Sequence, residues 1–106
     1  MAVVEHQDNE IQYRVYPDIY RRINHDEKTV ELEVSLPGVR KDEIKLKALP
    51  KWFHLEGNRG YMQYSANQSW GFEIVPEKTT AKYENGLLKI QAHIKDPLAD
   101  AKEVSL

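Results

Sequence analysis

The 106 residues contain no cysteine. That absence excludes thiol catalysis, thiolate-held metals and a disulfide framework, and it fits a reducing compartment such as the cytoplasm. Long apolar runs are missing as well. No stretch approaches the roughly 18–20 residues that a membrane-spanning helix needs. Neither sign of charge dominates, since 15 Lys and Arg face 17 Asp and Glu for a net charge of −2. A near-balanced total gives no support to a nucleic-acid binder held by phosphate contacts. Met1 to Glu10 has neither a basic start nor an apolar centre, so no signal peptide is expected. Asn67-Gln68-Ser69 fits the glycosylation pattern but reads as a plain polar loop without such a signal.

What is present is a period of two. In Val30-Glu31-Leu32-Glu33-Val34-Ser35-Leu36 apolar and polar residues alternate, as in a strand with one face buried and an acidic row in water. Pro37-Gly38 ends it. Ile44-Lys45-Leu46-Lys47-Ala48 repeats the pattern with a basic outer row and breaks at Pro50. Trp52 to Glu56 reads as a short strand closed by Gly57, and Trp70 to Ile74 as another that stops at Pro76. Ile11 to Val15 and Ile19 to Ile23 are two more. The strongest local signal is Asn85-Gly86 between Thr80–Tyr83 and Leu88–Ile94, because Asn-Gly supplies both positive-φ positions of a type I′ hairpin turn. Arg40 to Glu43 and Leu98 to Lys102 offer one helical turn each, too short for stable helices. The whole implies an all-β, immunoglobulin-like antiparallel sandwich of seven to nine short strands.

Reactive chemistry is thin. His6, His25, His54 and His93 are dispersed and lack metal-ligand spacing, so no metal and no cofactor is expected. Asp42 and Glu43 are adjacent and point apart rather than forming an acid–base dyad. Serines 35, 65, 69 and 105 lack a nucleophile-elbow context. Arg21-Arg22 and Arg40-Lys41, with Tyr13, Tyr16 and Tyr20, read as solvated faces rather than a stacking platform for single strands. An enzyme, a nucleic-acid partner and a membrane partner are all disfavoured.

Several segments, in order, resemble the small heat-shock proteins of the Hsp20/α-crystallin type. Ala81-Lys82-Tyr83-Glu84-Asn85-Gly86-Leu87-Leu88 is similar to that family's Ala-x-x-x-Asn-Gly-Val-Leu signature, carried here by Ala81, Asn85, Gly86 and Leu88. Leu36-Pro37-Gly38-Val39-Arg40-Lys41-Asp42-Glu43-Ile44 looks like its Leu-Pro-Gly-Val-x-Lys-Glu-Asp-Ile turn. Pro17-Asp18-Ile19-Tyr20 resembles the opening of the domain, and Phe53 to Gly57 its Leu-x-Ile-x-Gly strand. The resemblance implies a short arm over 1–16, an α-crystallin domain over 17–95 and a tail over 96–106. It implies a groove walled by Ile44, Leu46 and Ala48 on one strand and by Thr80 and Lys82 on the other. Val104 and Leu106 would be the tail's Val-x-Leu ligand for that groove, and Tyr61, Met62 and Tyr64 a dimer edge. The implied function is that of an ATP-independent holdase, a cytoplasmic chaperone of the stress response. Its partners would be itself, as a homodimer or larger oligomer, and partly unfolded client proteins. Three features depart from the family pattern: the polar Met1–Glu10, the short stretch Asn58–Ser69, and Gly71 where many members carry arginine. They fit an alternative, an adaptor of the related p23/CS sandwich that binds one folded partner.

Overall fold

The computed structural model describes residues 11–106. Eight strands form two four-stranded sheets. They are β1 (Tyr13–Val15), β2 (Ile19–Asn24), β3 (Thr29–Ser35), β4 (Ile44–Ala48), β5 (Trp52–Arg59), β6 (Met62–Ser69), β7 (Ile74–Glu84) and β8 (Leu87–Ile94). One sheet runs β1-β6-β5-β4 and the other β2-β3-β8-β7. A single 3₁₀ turn, Lys41–Glu43, leads into β4.

The alternation in β3 sets the core. Val30, Leu32, Val34 and then Leu36 are fully buried; with Leu88, Ile90 and Ile74 of the same sheet they form one cluster with Phe53, Leu55 and Trp70. Phe53 and Trp70 are tilted against each other with ring centroids 4.8 Å apart. The indole Nε1–H donates to the Leu49 carbonyl at 2.9 Å. Burial of these side chains is the main favourable contribution to folding.

Two tight turns set the registers. Asn85 and Gly86 both have positive φ, +53° and +78°, as the type I′ hairpin requires, and Glu84 lies opposite Leu87. Gly86→Ala is expected to cost about 1–2 kcal/mol in urea unfolding, since a side chain in the left-handed region is strained. Its Cβ would also sit 3.4 Å from the Pro37 Cα. Gly60 has φ +61° and opens the two-residue turn that pairs Arg59 with Met62.

Three segments differ from the pattern reading. Gly57 does not end β5; the strand continues to Arg59, and the missing side chain leaves room for Val39, whose Cγ1 would lie 3.4 Å from a Cβ there. Trp70 to Glu73 is a bend, not a strand. Gly71 has φ +89°, and the Trp70 and Ile74 N–H groups bond to the Lys51 and Pro50 carbonyls instead of a ladder. Pro76 does not stop β7, because β7 is an outermost strand where a missing N–H is tolerated; the register shifts between Val75 and Thr80. The residues expected to form an arm also reach the sandwich, since β1 pairs in parallel with β6.

Candidate functional site

β4 and β7 are each the outermost strand of their sheet, and each has one side without a ladder partner. Hydrogen bonds tie them together at both ends. The Tyr83 hydroxyl donates to the Leu36 and Val39 carbonyls at 2.8 and 2.6 Å, on the connection that enters β4. The Ile74 N–H donates to the Pro50 carbonyl at 2.8 Å, on the connection that leaves it. Between these ties no ladder joins the two edges. The result is an open seam along one flank of the sandwich.

Ile44, Leu46 and Ala48 face inward across from Gly57, Leu55 and Phe53, and remain half-buried because the seam is open. Lys45 and Lys47 point to solvent on the other face. The expected second wall is corrected by the register. Lys82 lies opposite Lys89 and Thr80 opposite Gln91, so both stand on the outer face of their sheet, near Arg22, Glu31 and Glu33. The inward set on β7 is Ala81, opposite Ile90, and Tyr83, opposite Leu88. A two-residue Asn-Gly turn dictates that pairing, so the inward-facing Leu88 and Ile90 already implied Ala81 and Tyr83 in the sequence.

The three residues expected at a dimer edge lie on β6 and the turn before it. Tyr61 is an exposed turn residue, Met62 is buried and Tyr64 is half-buried. Met62, Gln63 and Tyr64 are flanked on one side by β5 and on the other by β1. Val104 and Leu106 are exposed, as is the whole stretch from Pro97.

The three arginines singled out in the sequence are engaged within the chain. Arg22 pairs with Glu31, Arg40 with Asp42 and Glu43, and Arg21 donates to the Trp70 carbonyl and lies 5.9 Å from the Phe72 ring centre. Among the described residues no group of three His, Cys, Asp or Glu could hold a metal. No helix in them is long and apolar enough to cross a membrane.

One titratable cluster stands on the outer face of the first sheet. His54 Nδ1 lies 2.6 Å from the Asn67 Oδ1 and its Nε2 lies 2.8 Å from a Glu56 carboxylate oxygen. An imidazolium donates to both, so the hydrogen bond to Glu56 first, then that to Asn67, raise the His54 pKa above its ordinary value, while the same contact with His54 lowers that of Glu56. The raised His54 pKa adds stability that is complete below its unfolded value and is lost as pH rises through its folded one. The lowered Glu56 pKa adds stability present above its unfolded value and lost as pH falls through its folded one. The pair is therefore strongest in mildly acidic solution. In His54→Gln, the loss of stability on going from mild acid to above neutral pH is expected to shrink, as read by urea midpoints. An unchanged profile would mean that the imidazolium is not held.

No protein-family model matches the sequence, and no curated protein matches it. Solved structures do match. Heat shock protein 16.0 from Schizosaccharomyces pombe superposes with a TM-score of 0.71 at 19% identity, over 88% of this chain and 76% of that one. The fold is that of the small heat-shock proteins. The hspA protein of Xanthomonas axonopodis superposes at 0.65 with 15% identity, over 76% of this chain and 95% of its own. A small heat-shock protein from Xylella fastidiosa, described as having a distinct high order structure, superposes at 0.67 with 13% identity, over 87% and 96%. The all-β sandwich expected from the strand pattern is thus the α-crystallin sandwich.

Proposed function

We propose that this chain is a small heat-shock protein: an ATP-independent cytoplasmic holdase that binds partly unfolded proteins, delays their aggregation and assembles through dimers. The observation that carries the reading is the seam between β4 and β7, where Ile44, Leu46 and Ala48 are half-buried and Ala81 is exposed beside unpaired strand edges. An extended segment laid along such an edge gains backbone hydrogen bonds and places alternate side chains on the apolar wall. A client segment held there is withdrawn from client–client pairing by mass action. The names of the structural neighbours favour this reading over the adaptor alternative. In this reading the tail over 96–106 supplies Val104 and Leu106 to the seam of another copy.

The test is light scattering from a thermally unfolding client protein without nucleotide. Wild-type chain is expected to suppress scattering. Leu46→Asp, which puts a charge on the wall, is expected to need about tenfold more protein for the same suppression, equivalent to a little over 1 kcal/mol of lost contact. Lys47→Asp, on the opposite face of the same strand, serves as the control for charge and strand propensity. If wild type gives no suppression, or if the two variants behave alike, the reading fails.

A further inference from the structure

β8 runs from the Asn85-Gly86 turn to Ile94, and at its far end the core is left open. Ile23 and Ile94 pack against the core cluster yet are only half-buried. Phe72, in the bend between the buried Trp70 and Ile74, is 43% exposed. Together with Pro97 these side chains line a cavity of about 290 Å³. A concave apolar surface with a few polar groups at its mouth is the ordinary form of a small-molecule site. The hollow beside Arg40, Glu43, Asn58 and Arg59 is instead walled by charged and amide groups.

The walls come from three segments that are bonded to one another. The Ile94 N–H donates to the Lys28 carbonyl at 2.9 Å, and the Lys95 N–H to the Glu73 carbonyl at 2.8 Å. The Glu27 N–H donates to the Asn24 Oδ1 at 3.0 Å and closes the turn between β2 and β3. Arg21 holds Phe72 in place through the Trp70 carbonyl and through its position near the ring. The cavity is therefore formed in advance, which keeps the ordering cost of binding small. Of the charged groups at its mouth, Lys95 is held by Glu73 and Asp100, and Asp96 accepts the Leu98 N–H. Lys28 and His25 have no carboxylate partner among the described residues. Lys28 also has a φ of +57°, in the left-handed region where glycine or asparagine fits with less strain.

We propose that this cavity binds a short amphiphilic carboxylate, a free medium-chain fatty acid. A water molecule takes about 30 Å³ of liquid, so the volume suits a ligand of about ten non-hydrogen atoms, the size of octanoate. Its alkyl chain lies against Phe72, Ile94, Ile23 and Pro97, and each methylene withdrawn from water adds to affinity. Its carboxylate accepts from the Lys28 ammonium and from a His25 ring N–H, and such charge-assisted bonds fix the orientation of the acid. The seam between β4 and β7 offers an apolar wall without this pairing, because Lys45 and Lys47 stand on the other face of β4 and Lys82 on the outer face of β7.

The test titrates octanoate, below its micelle threshold, into the full chain and follows the heat of binding and the amide signals of Phe72 and Ile94. Saturable binding is expected at about 1 mM or below, with both signals shifting. Lys28→Gln, at an exposed turn position, should weaken octanoate by about tenfold, and Lys28→Arg should restore most of the affinity. Butanoate, shorter by four methylenes, should bind wild type at least about tenfold more weakly. Leu46→Asp, on the seam wall, should leave octanoate binding as it was. The proposal is overturned by any of four results: no saturable binding, equal affinity in Lys28→Gln and wild type, butanoate as tight as octanoate, or loss of binding in Leu46→Asp. The last of these would place the fatty acid in the seam.

Discussion

Trp70→Ala is expected to remove about 3–5 kcal/mol of stability, out of the roughly 5–15 kcal/mol typical of a folded domain. Three losses combine. The indole is fully buried, so its removal leaves a cavity in a sandwich with only one core. Its tilted contact with Phe53 disappears, and the Leu49 carbonyl loses its indole donor. The damage falls on a particular place. Trp70 N–H and Ile74 N–H bond to Lys51 and Pro50, so the bend over 70–73 and the β4–β5 turn hold each other, and together they close one end of the seam. Urea unfolding gives the magnitude, and hydrogen exchange at Ile74 gives the local effect. Trp52→Ala, at a tryptophan 54% exposed on the neighbouring strand, should change stability by no more than about 0.5 kcal/mol. Similar costs at the two tryptophans would contradict the packing.

The contrast between those two tryptophans shows what was legible in the sequence. Trp52-Phe53-His54-Leu55 alternates, and the pattern correctly puts Phe53 and Leu55 on one face. Trp70-Gly71-Phe72-Glu73-Ile74 alternates equally well, yet only Trp70 and Ile74 are buried and the chain between them bends. Period two cannot distinguish these cases, because the difference lies in a distant residue. The Arg21 guanidinium lies where a Gly71 side chain would project, with its Nη2 2.1 Å from the Cβ position, and Arg21 Nε bonds to the Trp70 carbonyl. Gly57 and Pro76 misled for a related reason. Both read as punctuation in the sequence, but Gly57 makes room for Val39 and Pro76 sits on an edge that needs no donor there. Local signals carried furthest where geometry is local, as at Asn85-Gly86. The same turn contained the answer for the second wall of the seam. Counting back from it pairs Tyr83 with Leu88 and Ala81 with Ile90, which leaves Thr80 and Lys82 facing water. The parallel pairing of β1 with β6 joins segments 49 residues apart and has no local signature at all.

Changing Val104 and Leu106 together to alanine is expected to dissolve any assembly larger than a dimer. The stretch from Pro97 is exposed, and Lys95, bonded to Glu73 and Asp100, marks where the chain leaves the sandwich. Val104 and Leu106 are two residues apart, so in extended conformation they project from the same side, the spacing an apolar wall of Leu46 and Ala81 would accept. Burying both relative to alanine is worth a few kcal/mol at about 0.8 kcal/mol per methylene. Their loss should weaken each tail contact by about a hundredfold. Light scattering coupled to size exclusion reads the result, and an unchanged assembly size would sink the tail assignment.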